Sequence, residues 1–363
     1  MDSRTDKTRA GIVIEQNWNA KASVETRCTN NLVDALLDNP DVSVVGVRGT
    51  HLTNPELSLP DGLPVRRLPF PGKALAESWA RSSRPSLDRW VDADIIHAPH
   101  YLLPTTKKPL IVTIHDTAFF RYPEWLTPNE VACFLRIFKR VIDEKLSVFV
   151  PSEATADDLA FRGVSERRIH VTPWGIDTEP APTYVIEHVR QKYELPDEFV
   201  LFLGAPSPRK NLTMLAAAME RHREVPLLIT GPADGGAEGE IASIANARML
   251  GHVPEGEIQA VIAAATVLAY PSHLEGFGLP VLEAMAQGTP VVATKGTAPA
   301  DILGTAGLAV DTRSPNQIAD AIGQLLESPT DRAAMGEVGK DRSVLFRWDV
   351  AAKRVASLYT MLS

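Results

Sequence analysis

An α/β fold of two doubly wound parallel-sheet domains is the architecture this sequence predicts, and three observations carry it. Short continuous apolar runs alternate with longer stretches of helical pattern, as expected of strands covered on both faces by crossover helices. The alternation runs through the first half and is repeated in the second, with a proline-containing, charged junction between them. At 363 residues and 44% hydrophobic content, the chain has the length and apolar material for two cores.

The elements follow in order. In the first half, the runs at 11–14, 42–47, 94–97, 110–114, 147–150 and 169–172 read as strands. Helical segments fall around 25–38, 128–145 and 153–162. The second half gives strands at 199–203, 226–230, 248–250, 267–270, 290–293 and 308–310. The junction spans 173–196, where TEPAPT at 178–183 and a short charged helix have the composition of a hinge. A first domain at 1–178 and a second at 179–346 follow, with a last helix at about 350–362 inside the closing segment 347–363.

Charge and composition narrow the function. A formal charge of −8 argues against a nucleic-acid partner, which calls for a basic excess. The two cysteines, Cys28 and Cys133, are far apart and read as reduced thiols of a cytoplasmic protein. No apolar run approaches the ~18 residues of a membrane span. The polar start, leading straight into a strand, does not read as a signal peptide.

The densest chemical signal is PSHLEGFGLPVLEAMAQG at 271–288. A buried-looking strand leads through Gly276 and Gly278 to a helix with Pro280 in its first turn and Gly288 past its end. Unpaired backbone N–H groups and the positive end of the helix dipole converge there, which suits a phosphate. Glu275 and Glu283 flank that anion site. Carboxylates accept hydrogen bonds from paired sugar hydroxyls, so the ligand is read as a nucleoside diphosphate sugar. A second stretch, FLGAPSPRKNL at 202–212, ends a strand and opens a helix, with Asn211 read as its cap. Arg209 and Lys210 stand at that helix start, where a bound anion offsets an otherwise mildly unfavourable placement.

With these residues in view, the chain resembles the retaining glycosyltransferases of GT-B fold that carry an E-x7-E signature. The resemblance implies two facing Rossmann-like domains with the active cleft between them and the last helix crossing back onto the first. It also implies a hexosyl group moved from a nucleotide sugar to a saccharide or lipid-linked saccharide hydroxyl. By its pattern, Lys210 with Arg209 holds the donor diphosphate, together with the amides of Gly276, Phe277, Gly278 and Leu279. Glu275 grips sugar hydroxyls near the reacting carbon, and Glu283 the ribose. The segment LGHVP at 250–254 places Val253 at the nucleotide base, and the strand end IHD at 114–116 places His115 at the donor sugar or acceptor. No cofactor or metal is expected, Lys210 and Arg209 serving as counter-charge. The Pro-Arg-Lys-Asn variant resembles that of mannosyltransferases of polysaccharide assembly, which favours a mannosyl donor.

Other features read as structural. Asp92-Ala-Asp94 matches a metal-binding pattern of another fold, but it precedes a strand, the wrong end for a ligand. His97 and His100 follow a strand in a Pro-containing loop and read as packed side chains. The glycine-rich 231–239 reads as a mobile loop. The basic amphipathic stretch 134–145 is either a membrane-docking face or an ordinary packed helix with a solvated side. One departure stands out: AKASVETRC at 20–28 lacks the glycines that the family has near the donor phosphates. That keeps open a non-catalytic glycan- or nucleotide-binding protein, or a phosphorylase or epimerase of the same fold.

Overall fold

The apolar runs assemble into two all-parallel sheets, one in each of two compact units. The computed structural model describes residues 7–18, 23–82, 84–177, 179–231, 244 and 246–363. Most of the 231–239 loop, and 20–22 of the glycine-free stretch, lie outside them.

The first unit comprises Met1–Gly175 and Trp348–Ser363. Its seven strands are β1 (Thr8–Val13), β2 (Val42–Thr50), β3 (Val65–Pro71), β4 (Ile95–Ala98), β5 (Leu110–Thr113), β6 (Ser147–Val150) and β7 (Ile169–Val171), ordered β3-β2-β1-β4-β5-β6-β7. Strands β4 and β5 are buried at every residue, which is why they read as unbroken apolar runs. Strand β3 was not anticipated. It is an edge strand in which Leu68 alone is fully buried, and two arginines and two prolines mask its pattern.

Helices α1 (Val24–Leu37), α2 (Gly72–Ser82), α3 (Ala118–Arg121), α4 (Pro128–Asp143) and α5 (Glu153–Phe161) complete the first stretch of this unit. Ser23 starts α1 by accepting the Thr26 N–H at 3.2 Å. A reciprocal Thr127–Glu130 capping box starts α4. The apolar side of α4, with Ile137 and Val141, packs into the core. On its outer side, Lys139 and Arg140 pair with Asp143 and Glu144 one turn on, which offsets part of its basic character. Asp92 and Asp94 form ion pairs with Arg9.

The second unit is Ile176–Arg347. Its strands are β8 (Val200–Leu203), β9 (Leu227–Thr230), β10 (Ala247–Gly251), β11 (Val267–Tyr270), β12 (Val291–Thr294) and β13 (Gly307–Val310), ordered β10-β9-β8-β11-β12-β13. Its helices are α6 (Thr183–Lys192), α7 (Leu212–Met219), α8 (Glu255–Ala264), α9 (Leu279–Gln287), α10 (Ala298–Leu303), α11 (Pro315–Glu327) and α12 (Pro329–Ser343). The charged helix expected in a hinge is α6. It packs on α8, and Arg190 donates to the Pro196 and Ala264 carbonyls, so it is an integral part of this unit.

The last helix, α13 (Trp348–Leu362), begins two residues earlier than its pattern indicates and packs on α1. It buries Ala352, Val355, Ala356 and Tyr359 with Ile12, Leu36 and Phe149 in the first unit's core. The Tyr359 hydroxyl lies 2.6 Å from His97 Nδ1, and His97 Nε2 lies 2.8 Å from the Thr113 hydroxyl.

Each sheet reverses its winding once, between β1 and β4 in the first unit and between β8 and β11 in the second. Such reversals splay the flanking loops apart at the strands' carboxyl ends and leave a crevice for ligand.

Candidate active site

The reversal point of the second unit gathers the strongest sequence signals. Strand β8 ends at Leu203 and is followed by Gly204, whose φ of +121° is open to glycine at no steric cost, and then by a 3-10 turn, Pro208–Lys210. Strand β11 lies beside β8 and leads into the loop of Glu275. Lys210 Nζ donates to Glu275 Oε1 at 2.7 Å and to the Tyr270 hydroxyl at 2.8 Å. Arg209 Nη2 donates to Glu275 Oε2 at 3.2 Å. Thus Glu275, its side chain 8% exposed, sits between two cations that sequence reasoning assigned to a ligand.

The electrostatics follow from burial. Burial pushes the Glu275 carboxyl up, but Lys210 and then Arg209 outweigh it and hold Glu275 below its ordinary value, hence ionised. Burial, together with the neighbouring Arg209, draws the Lys210 ammonium down, against the pull of Glu275. The Tyr270 phenol, fully buried, is raised well above its ordinary value and stays a neutral hydroxyl.

Asn211 does not cap α7 with its side chain. It takes the left-handed conformation (φ +57°), and its amide donates instead to the Pro271 and Thr312 carbonyls, each at 3.1 Å. Arg209 and Lys210 accordingly stand in the turn before α7 and not in its first turn. Asn211 ties the cation turn to the start of the glutamate loop, and a second tie runs from the His273 N–H to the Arg209 carbonyl at 2.9 Å.

The loop then delivers the N-terminus of α9. Gly278 has a φ of +122°, and a Cβ there would lie 2.8 Å from Pro299 Cγ, so only glycine fits. Leu279 opens the helix, Pro280 fills its first turn, and Gly288 (φ +74°) closes it. Phe277 is buried beside Phe346, ring centroids 6.1 Å apart. Glu283 lies in the second turn of α9, partly buried. Val253, 7% exposed, follows the left-handed Gly251 at the end of β10.

The first unit holds the remaining predicted residue. His115 is 5% exposed and donates from Nε2 to the Pro99 carbonyl at 2.8 Å. Burial lowers its imidazole below the ordinary value, against Glu25, the Pro99 carbonyl and Asp116, so it is neutral near pH 7 and Nδ1 carries the lone pair.

Comparison with known proteins decides the family. A family model described as glycosyl transferases group 1 matches residues 185–342, and one described as glycosyltransferase family 4 matches 26–180. A D-inositol 3-phosphate glycosyltransferase of Corynebacterium aurimucosum is 30% identical over 304 residues, covering 74% of this chain and 72% of the relative. The chain belongs to the GT-B glycosyltransferases. The O-antigen chain mannosyltransferase B of Escherichia coli is 29% identical to this glycosyltransferase over 323 residues, 82% of each chain. Anabaena HepE in complex with UDP-glucose shares its fold with a TM-score of 0.74 and 17% identity, over 98% of this chain and 100% of that one.

One residue of the candidate site was not legible: Tyr270 ends a strand and reads as core. Among the described residues, no group of three His, Cys, Asp or Glu is placed to hold a metal ion. No described helix is long and apolar enough to cross a membrane.

Proposed function

We infer that this glycosyltransferase moves a hexosyl group from a nucleoside diphosphate sugar to a saccharide or glycolipid hydroxyl with retention of anomeric configuration. The observation that carries this reading is Glu275 held between Lys210 and Arg209 at the reversal point, beside the N-terminus of α9. An arriving diphosphate competes with Glu275 for the two cations. It takes Lys210 and Arg209 as its counter-charge, with no metal required, and the amides from Gly276 to Leu279 complete the cradle. Glu275, released from the pair, then accepts hydrogen bonds from donor-sugar hydroxyls. Glu283 holds the ribose, and Val253 lies against the base. His115, in the first unit, accepts a hydrogen bond from a sugar hydroxyl through Nδ1.

In the chemical step, the bond from the anomeric carbon to the diphosphate breaks and the acceptor oxygen bonds to that carbon on the same face. The acceptor proton passes to the departing phosphate oxygen. The E. coli relative is named a mannosyltransferase, so GDP-mannose is the first donor to test. For a lipid-linked acceptor, the exposed side of α4 is the surface that would meet a membrane.

The test is transfer and donor hydrolysis with UDP-, GDP- and dTDP-sugars, after thermal-shift screening. A donor at a hundred times its Kd adds about 2.7 kcal/mol of stability. Lys210→Ala and Glu275→Ala should each lose more than tenfold in kcat/KM while still folding. Wild-type rates in both would overturn the site, and an inverted product, read from its anomeric coupling, would overturn retention.

A further inference from the structure

Among the side chains gathered at the second unit's reversal point, Tyr270 stands apart because it closes β11, which runs between β8 and β12. Its backbone is in register with Ala293 of β12, and the residue is 2% exposed. The sheet therefore fixes its hydroxyl. Lys210, by contrast, stands in a short 3-10 turn and carries its charge on a flexible four-carbon stem.

Burying a phenol hydroxyl costs free energy unless it finds a partner, and phenylalanine fills the same ring volume without that cost. The partner here is Lys210, whose Nζ donates to the hydroxyl at 2.8 Å. The same Nζ lies 4.7 Å from the centroid of the Tyr270 ring, within reach of its negative face. Gly204 leaves the stem room, since a Cβ there would already stand 3.6 Å from Lys210 Cε. An ammonium has three N–H groups, and Glu275 takes another of them at 2.7 Å. A diphosphate displaces Glu275 and not Tyr270. The bond to Tyr270 is then the one that persists from the empty site to the loaded one.

We propose that Tyr270 is a positioning residue for the donor: its hydroxyl holds the Lys210 ammonium at the diphosphate position while Glu275 exchanges out of the pair. The proposal rests on the donor reading above and adds a residue that acts through Lys210 without touching the reacting atoms. Where the hydroxyl is missing, the ligand itself must order the lysine stem, and binding is weaker by that entropy.

Calorimetric titration of the full chain with GDP and UDP tests this, in a cycle of Tyr270→Phe, Lys210→Ala and the double variant. Urea midpoints serve as the folding control. Tyr270→Phe, which keeps the ring, should weaken the tighter-binding nucleotide about fivefold or more. In the Lys210→Ala background the same change should weaken it less than about twofold, because the group being positioned is gone. A tyrosine that only fills the core would have equal effects in both backgrounds. That result, or unchanged binding in Tyr270→Phe, overturns the proposal.

A pH series gives a second readout. The charged groups facing Lys210 Nζ are Glu275 and Arg209, and the buried Tyr270 phenol stays neutral beside them. An accepted hydrogen bond favours the protonated ammonium, so in Tyr270→Phe the alkaline loss of nucleotide affinity should begin at a lower pH than in wild type. An unmoved alkaline limb also overturns the positioning role. Failure of the donor reading looks different. Wild-type affinity in Lys210→Ala, or no nucleotide binding by the wild type, removes that reading and the role of Tyr270 with it. Weakened binding in Lys210→Ala beside an unaffected Tyr270→Phe removes the role alone.

Discussion

Lys210 and Glu275 meet at 2.7 Å with most of both side chains out of water, so neither charge is well compensated without the other. The Glu275→Gln variant separates the two jobs assigned to this carboxylate. Removing the charge leaves two partly buried cations short of a partner, at a cost of about 1–3 kcal/mol in stability. It also removes the competitor for an incoming diphosphate. Titration calorimetry should therefore show GDP or UDP binding the variant at least as tightly as wild type, while turnover falls more than tenfold. Weaker nucleotide binding would refute the competition. At this scale the sequence was legible where chemistry is unusual, in two adjacent cations and in two carboxylates around glycines, although the cations stand in the turn before α7 and not in its first turn. It was silent on Tyr270, because a tyrosine ending an apolar strand is indistinguishable from core until its hydroxyl is seen on Lys210.

Elements place these side chains, and their ends are where pattern reading and structure diverge. Asn211 precedes an apolar run as a cap would, yet its backbone is left-handed and its amide bridges two buried carbonyls. Asn211→Ala should then lose those bonds and strain the backbone, costing about 2–4 kcal/mol, whereas Asn211→Gly, free of strain, should cost about 1 kcal/mol less. Equal urea midpoints for the two variants would argue against that conformation. Gly278→Ala tests the neighbouring turn, since its methyl meets Pro299 and its φ is positive. Loss of about 1–3 kcal/mol with weakened nucleotide binding is expected, read by thermal melts with and without GDP. Central strands were legible because burial on both faces leaves continuous apolar runs. Strand β3 was not, because an edge strand meets solvent and tolerates Arg66, Arg67, Pro69 and Pro71. Helix α6 looked like a linker by composition alone, and its packing on α8 shows in no local pattern.

At the scale of the whole molecule, the chain returns to its first unit through α13, and this helix makes a buried polar contact with the strands at His97. All six tryptophans, Trp18, Trp79, Trp90, Trp125, Trp174 and Trp348, belong to that unit, so intrinsic fluorescence reports its unfolding apart from the second. Burial lowers the His97 imidazole from 6.5 to about 3, with His115 acting in the same direction. Below pH 6.5 the unfolded chain takes up a proton at this residue that the native state refuses. The unfolded state then binds more protons, and stability falls as the pH drops, until the native imidazole titrates near 3. For one histidine the slope approaches about 1.4 kcal/mol per pH unit. Urea titrations followed by tryptophan fluorescence between pH 6.5 and 4.5 should show that loss in the wild type. His97→Gln keeps hydrogen-bonding groups near Tyr359 and Thr113 but cannot titrate, so its slope should be shallower by about one proton's worth. An undiminished slope in that variant would mean that other groups govern the acid sensitivity, and that the contact between α13 and the strands is not its seat.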